Sequence, residues 1–253
     1  MPTRVAPAIL ASLALAAAAP ACVYADEAHH WAYGTGHGGP GHWAELEPGF
    51  AACGTGKQQS PIDIRGAQKA QLPAIQLAYQ AGPAKVENNG HTIQVTPAAG
   101  STLTVGDHTY ELVQFHFHAP SEEAVGGKRA PLVAHFVHKD ADGHLAVLAT
   151  LFEVGAENAA LKPIFAKLPS KPHSELELTD VRLDPAAVLP ASHGYYEFEG
   201  SLTTPPCSEG VRWLVLQKHA TVSKAQLQAF TKLYAHNARP LQPLNGRAVR
   251  ASM

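Results

Sequence analysis

Short segments in which apolar and polar residues alternate, or in which β-branched residues cluster, make up much of the chain from residue 91 onward. Such segments are typical of β-strands, because successive side chains of a strand point to opposite faces. Gly106-Asp107 and Asp142-Gly143 separate neighbouring segments and have the composition of hairpin turns. The predicted strands cover residues 91–96, 102–105, 109–118, 131–139, 145–154, 195–202 and 211–219.

Helical spacing is found in two short segments. Apolar residues at positions 161, 164, 165 and 168 predict one helix, and Pro163 restricts where it begins. Ser223 and Gln226 have the spacing of a capping box in front of a second helix with an apolar face. Residues 26–60 have no clear period, so we expect an irregular arm that lies over the core.

The composition agrees with a mainly β fold. The chain has 253 residues, of which 45% are hydrophobic, and this is enough for one large core. Its 21 glycines and 20 prolines indicate many turns and argue against a helical bundle. No linker divides the chain. We therefore predict a single mainly β domain, with a few short helices around a large, mostly antiparallel central β-sheet.

The net charge of −2 provides no basic surface for nucleic acid or for an anionic membrane. No nucleic-acid partner is expected.

The first 25 residues have the pattern of a secretory signal peptide. Arg4 provides the positive start, residues 8–19 are apolar but too few to span a bilayer, and Val23-Tyr24-Ala25 resembles a cleavage site. We predict cleavage after Ala25, a domain covering residues 26–253, and a periplasmic or secreted location. Cleavage after Ala21, which would leave a lipidated Cys22, is the less favoured alternative because no Leu stands three residues before Cys22.

Two cysteines, Cys53 and Cys207, remain after the signal peptide is removed. Paired cysteines are common in exported proteins, so we expect one disulfide bond between them. Two free, buried thiols are the alternative.

Histidines in two predicted strands suggest a metal site. In Gln114-Phe115-His116-Phe117-His118 the two imidazoles share one face of the strand, and the two phenylalanines occupy the other. Two imidazoles at this spacing can bind one metal ion, and a neighbouring strand could supply a third ligand.

The candidates for that third ligand are His135 and His138, of which only one can join because they face opposite ways. Three neutral nitrogen ligands suit Zn²⁺ and leave a fourth position for water. Histidines on a polar strand face need no metal, however, so this motif alone leaves the question open. The chain has no Gly-x-Ser-x-Gly motif, which argues against acyl-enzyme chemistry.

Seven short motifs follow one another along the chain: His29-His30-Trp31-Ala32-Tyr33-Gly34, Gly39-Pro40-Gly41-His42-Trp43, Gln59-Ser60-Pro61-Ile62-Asp63-Ile64, Asn88-Asn89-Gly90-His91, Gln114-Phe115-His116-Phe117-His118, Ala134-His135-Phe136-Val137-His138 and Gly200-Ser201-Leu202-Thr203-Thr204-Pro205-Pro206-Cys207. In this order they resemble the α-class carbonic anhydrases of the bacterial, exported type. The resemblance extends from residue 29 to residue 251.

The resemblance implies zinc-dependent, reversible hydration of carbon dioxide to bicarbonate and a proton. His116, His118 and His135 would bind Zn²⁺, which lowers the pKa of its water to about 7 and so provides hydroxide to attack carbon dioxide. Thr203 would accept a hydrogen bond from that hydroxide and donate one to Glu122, which fixes the direction of attack.

Further roles follow from the same resemblance. An apolar wall for carbon dioxide would consist of Val137, Val147, Leu202, Val211 and Trp213. His91 would carry the proton to solvent along a water chain lined by Tyr33, Asn89 and Gln94. The Ser60-Pro61 and Pro205-Pro206 peptide bonds would be cis.

The chain departs from the family pattern near the third histidine. Most members have a Glu two residues before that ligand, where this chain has Val133. Glu123 replaces a family His, and Phe198 replaces a family Tyr. We expect the carboxylate to have moved to Glu123, which would contact His135 from the other side and, with Gln114, support the ligands. The alternative is that Glu123 points to solvent.

Two other functions would use some of the same residues. A zinc hydrolase would use the same hydroxide on esters, and the resemblance implies this as a weak side activity. A binding module that had lost its metal would lack a ligand, and none of the three histidines is missing. The resemblance names carbon dioxide and bicarbonate as the small-molecule partners and allows a homodimer.

Overall fold

The structure is a computed structural model that describes Met1 and residues 30–253. The predicted signal peptide, its cleavage site and Cys22 lie outside the described residues, apart from Met1. Among the described residues, no helix has the length and apolar character needed to cross a membrane.

The described residues form sixteen strands: β1 (Asp63–Ile64), β2 (Gln68–Ala70), β3 (Ile75–Ala78), β4 (Gly82–Asn88), β5 (Ile93–Pro97), β6 (Thr102–Val105), β7 (His108–His118), β8 (Ala124–Val125), β9 (Lys128–Arg129), β10 (Leu132–Lys139), β11 (Leu145–Val154), β12 (Ser174–Leu183), β13 (Tyr195–Ser201), β14 (Glu209–Leu216), β15 (Ala220–Val222) and β16 (Arg250–Ser252). The α-helices are short: α1 (Trp43–Leu46), α2 (Ala52–Thr55), α3 (Lys162–Phe165) and α4 (Lys224–Thr231). Two 3₁₀ turns cover Pro48–Phe50 and Pro185–Val188.

Thirteen of these strands form one large sheet, in which the main path runs β12-β4-β5-β7-β10-β11-β14-β13-β16-β2. Most neighbours are antiparallel, whereas β11 is parallel to both β14 and β15, and β16 is parallel to β2. A small second sheet contains β1, β8 and β9. The predicted mainly β class with few short helices is therefore confirmed, and the large sheet is mixed.

The strands β6 and β11 have the predicted bounds, and β7 begins one residue earlier than predicted. The strand predicted over 211–219 is β14, which begins two residues earlier and ends at Leu216, and the next strand, β15, was not predicted. Both pair with β11, so the chain bends at residues 217–219 and then continues along the same neighbour.

The large sheet has an apolar cluster on each of its two faces. Successive side chains of a strand point to opposite faces, so neighbouring residues belong to different clusters. Phe115 and Phe117 of β7 lie in the larger cluster with Phe136 of β10. The smaller cluster contains Val147 of β11 and Trp213 of β14. His116 and His118 alternate with the phenylalanines and so lie on the side of the smaller cluster.

The arm before β1 folds into α1, a 3₁₀ turn and α2. The predicted disulfide between Cys53 and Cys207 is present and joins α2 to the segment that connects β13 with β14. Trp43 is fully buried beside this bond. The irregular arm is thereby attached to the segment that carries Thr203.

Candidate metal centre

Three histidines come together on one face of the sheet. His116 and His118 lie on β7, and His135 on β10 is the direct antiparallel neighbour of His116. One ring nitrogen of each lies within 4.8 Å of one nitrogen of each of the other two. The alternation of side chains along both strands accounts for this grouping.

His138 points away from this group, as expected for a residue three positions after His135. Its Nε2 lies 2.6 Å from the hydroxyl oxygen of Tyr79, and the ring is buried in the larger cluster's side of the sheet. His138 is therefore part of the buried core.

Each of the three histidines has a hydrogen-bond acceptor on its outer nitrogen. Nδ1 of His116 lies 2.9 Å from Oε1 of Gln114, and Nδ1 of His118 lies 2.6 Å from the carbonyl oxygen of Asn237. Nε2 of His135 lies 3.2 Å from Oε2 of Glu123. Because each outer nitrogen donates its proton, the inner nitrogen of each neutral ring keeps its lone pair.

The chemistry of the three histidines fits a zinc ion. The inner Nε2 of His118 is buried and has no hydrogen-bond partner within the described part of the chain. A buried nitrogen lone pair without a donor is costly unless a ligand satisfies it. Three neutral imidazole nitrogens are a donor set that Zn²⁺ prefers.

Glu122 lies beside the inner nitrogens and is fully buried. Its Oε2 is 3.5 Å from Nε2 of His118, and its Oε1 accepts a hydrogen bond of 2.7 Å from the backbone N–H of Arg239. Burial raises the pKa of Glu122 to about 7, although a hydrogen bond from the Thr203 side chain lowers it. A bound dication would favour the ionised form.

The apolar residues expected to form a wall lie together next to this group. Val147, Val211 and Trp213 are buried in the smaller cluster, and Val137 and Leu202 pack against it half-buried. The indole of Trp213 meets the ring of His135 edge-on, with ring centroids 5.0 Å apart.

A cleft with a cavity volume of about 130 Å³ leads outward from His116 and His118. Tyr33, Asn89, His91 and Gln94 all line it, as expected for the proton path. Asn89 uses its side-chain oxygen to accept the backbone N–H groups of His91 and Thr92, so this oxygen holds the turn.

His91 stacks on Trp31, with ring centroids 3.6 Å apart and planes 8° apart. Burial, together with the nearby His30 and His173, lowers the pKa of His91 to about 4. The ordinary pKa of a histidine side chain is about 6.5, so the pKa of His91 lies well below the usual range.

Glu123 is fully buried and faces His135 rather than solvent. Val133 is buried in the smaller cluster, and Phe198 stacks parallel to Trp213 with ring centroids 6.0 Å apart. The expected contact between Glu123 and His135 is thus present, and the solvent-exposed alternative is wrong.

Two residues that contact the site were not found from the sequence. Asn237 binds His118 through its backbone oxygen and Ala119 through its side chain. Arg239 binds Glu122 through its backbone N–H. Both lie in the irregular segment between α4 and β16, where no period marks them. The expected cis bonds at Pro61 and Pro206 are present, and Pro120 follows a third.

A large mixed sheet with a buried carboxylate beside three inward-facing imidazoles defines a mainly β enzyme domain with a candidate metal centre. The family model described as eukaryotic-type carbonic anhydrase matches residues 38–253. The chain therefore belongs to this carbonic anhydrase family, and it is an enzyme of that class.

Similar proteins agree with this assignment. A carbonic anhydrase from Pectobacterium carotovorum is 50% identical over 228 residues, covering 89% of this chain and 92% of its own. One from Neisseria gonorrhoeae is 44% identical and covers 97% of each chain. The solved α-carbonic anhydrase of Thermovibrio ammonificans, in complex with the inhibitor sulfanilamide, has a TM-score of 0.85 and 46% identity, covering 87% of this chain and 98% of that one.

Proposed function

We propose that this chain catalyses the reversible hydration of carbon dioxide to bicarbonate and a proton, with Zn²⁺ held by His116, His118 and His135. The observation that carries the proposal is the set of three inner nitrogens whose lone pairs converge, since each outer nitrogen faces an acceptor. When bound, zinc lowers the pKa of a coordinated water to about 7 and so makes hydroxide available at neutral pH.

Thr203 and Glu122 orient the nucleophile in this proposal. The Thr203 hydroxyl has one proton, and it donates this proton to the buried carboxylate of Glu122. The hydroxyl oxygen can then only accept a hydrogen bond from the nucleophile. This arrangement directs a nucleophile lone pair toward the wall formed by Val137, Val147, Leu202, Val211 and Trp213, where apolar carbon dioxide would bind.

His91 accepts the proton that the reaction releases, in this proposal. Tyr33, Asn89 and Gln94 line the cleft between His91 and the three histidines, so water molecules there would connect them. His91 lines this cleft, is partly exposed and passes the proton to buffer.

We also propose that the enzyme works outside the cytoplasm, in the periplasm or after secretion. The signal-like residues 1–25 and the disulfide between Cys53 and Cys207 support this location.

Stopped-flow measurement of carbon dioxide hydration tests the function directly. The purified protein, as isolated and after treatment with a zinc chelator, is compared with chelated protein that has been given back one equivalent of zinc. We expect activity in the first sample, loss in the second and recovery in the third. Full activity in chelated protein shown to be free of metal would contradict the proposal, as would no activity in zinc-loaded protein.

A further inference from the structure

Glu123 is a buried carboxylate for which the proposed reaction has no use. Its residue is fully buried, and both carboxylate oxygens lie close to one atom, Nε2 of His135, at 3.1 and 3.2 Å. A carboxylate taken out of water is costly unless it is paired. The position of Glu123 therefore depends on His135.

The contact is made on the side of His135 that faces away from the ligand group. Nδ1 of His135 lies 3.8 Å from Oε2 of Glu122, on the inner side, while Nε2 faces Glu123. A carboxylate can only accept from Nε2, so the ring carries its proton there and keeps the Nδ1 lone pair for a metal. The outer nitrogens of the other two histidines face neutral acceptors. These are the side-chain oxygen of Gln114 for His116 and the carbonyl oxygen of Asn237 for His118.

The backbone of Glu123 is held separately from its carboxylate. The Ser121 hydroxyl donates to the Glu123 carbonyl oxygen at 2.7 Å and accepts the backbone N–H of Ala130 at 2.8 Å. The backbone N–H of Ser121 in turn donates to the Ala130 carbonyl at 2.9 Å. These bonds hold the backbone of the loop, and so they fix the point from which the Glu123 side chain reaches the imidazole.

Strand β10 offers no other carboxylate for His135. Val133 shares a strand face with His135, is fully buried and packs in the smaller apolar cluster. On the same side Trp213 meets the ring edge-on. Glu123 is thus the acidic group that reaches the outer nitrogen.

We propose that Glu123 is a positioning residue, which fixes the tautomer and the ring orientation of His135 and thereby slows the loss of zinc. This inference rests on the proposed zinc site. Because Glu122 and Glu123 are neighbours in the loop between β7 and β8, one short loop holds both the carboxylate next to the nucleophile and the carboxylate behind a ligand. Removal of such a partner typically costs 10–100-fold in metal affinity or activity.

Zinc release to a chelating dye tests this role without measuring activity. Zinc-loaded wild-type protein is compared with E123Q, which removes the charge, and with E123A, which removes the acceptor. E111Q is the control, because Glu111 lies on β7, is exposed and undergoes the same change of charge. We expect about 10–100-fold faster release from E123A, a smaller increase from E123Q, and the wild-type rate from E111Q.

Nitrogen-15 NMR of the zinc-loaded wild-type protein provides a second measurement that needs no variant. We expect the His135 proton on Nε2, in slow exchange with solvent. A proton on Nδ1 instead, or release from E123A at the wild-type rate, would overturn the role of Glu123. If wild-type protein binds no stoichiometric zinc, both this role and the proposed function fail. If it binds zinc and only the Glu123 results are negative, the proposed function stands.

Discussion

The basicity of a histidine depends on where its ring lies, and His91 shows this at the scale of one residue. Its ring is half-buried against Trp31, and His30 stacks nearby with ring centroids 4.9 Å apart. Burial first, and then the positive charges that His30 and His173 can carry, lower the pKa of His91 to about 4. With a pKa of about 4, His91 releases a proton readily to buffer but is only briefly protonated by a donor with a pKa near 7, so its low pKa slows the proton transfer proposed above.

The first prediction concerns Trp31. In W31A the ring of His91 loses its stacking partner and gains water, so its pKa should rise toward the ordinary value of about 6.5. NMR titration of the imidazole carbon-bound protons measures this change. H30A and H173A serve as matched variants, and each should raise the pKa less, because burial is the largest cause of the shift. A wild-type value already near 6.5 would contradict the prediction.

The lowered pKa of His91 also makes the stability of the fold depend on pH. The unfolded chain binds a proton on this residue below about pH 6.5, whereas the folded chain does so only below about pH 4. Between these values the unfolded state binds more protons, so the contribution of His91 to stability falls as the pH is lowered through that range. Since the ring is half-exposed, solvent screening reduces the size of this effect.

At the scale of elements, the sequence could predict the strands that have either regular alternation or a continuous apolar run. The bounds of β6 follow from residues that alternate between buried and half-buried, and those of β11 from an unbroken run of buried, mostly apolar residues. The strand β4 was missed because small residues, Gly82 and Ala84, occupy two of its buried positions. The strand β12 was also missed. It pairs only with β4 at the end of the sheet's main path, and few of its residues are buried.

The segment between β13 and β14 is the element whose position depends on a covalent bond. It carries Thr203 and ends at the disulfide between Cys53 and Cys207, which joins residues 154 positions apart. Leu202 and Ser208 are also joined by a backbone hydrogen bond across this segment. The disulfide should therefore affect the rate of the reaction as well as the stability of the fold.

The second prediction is that C53S/C207S loses both stability and turnover. The loss in free energy of unfolding should reach at most about 5 kcal/mol, the chain-entropy value for a loop of this length. Turnover should fall more than zinc content does, because Thr203 is displaced while the three histidines on β7 and β10 are not. Denaturant unfolding, zinc analysis and stopped-flow assays measure the three quantities. C53A/C207A is the matched control and should behave alike, whereas unchanged turnover in both would limit the bond to a structural role.

At the scale of the whole molecule, the centre is assembled from segments far apart in the chain. The period of two places His116 and His118 on one face and allows only one of His135 and His138 to join them, and the family resemblance selects His135. The contacts from Asn237 to His118 and from Arg239 to Glu122 join residues more than 110 positions apart. No local pattern encodes such contacts, because irregular segments are placed by hydrogen bonds to other parts of the fold.

Arg239 binds several of these distant segments through hydrogen bonds. It is 1% exposed, and its guanidinium donates to the side chain of Gln59 and to the carbonyl oxygens of Ser60 and Cys53, at 2.7–3.0 Å. The same group lies 5.5 Å from the ring centroid of Trp43. Burial lowers the pKa of Arg239 to about 10, so the group stays charged at neutral pH.

The last prediction is that R239K destabilises the whole domain. An ammonium group cannot reach the three acceptors that the planar fork binds, so buried oxygens of the arm and of the Pro61 loop lose their donors. We expect a loss of about 2–6 kcal/mol in the free energy of unfolding, because each buried acceptor left without a donor costs about 1–3 kcal/mol and the ammonium can serve one of the three at best. R247K is the matched control, because Arg247 also binds backbone oxygens from this C-terminal segment but is only partly buried. Its loss should be about 1 kcal/mol. Denaturant unfolding of both zinc-loaded variants makes the comparison, and equal losses would show that Arg239 has no special part in joining the arm to the centre.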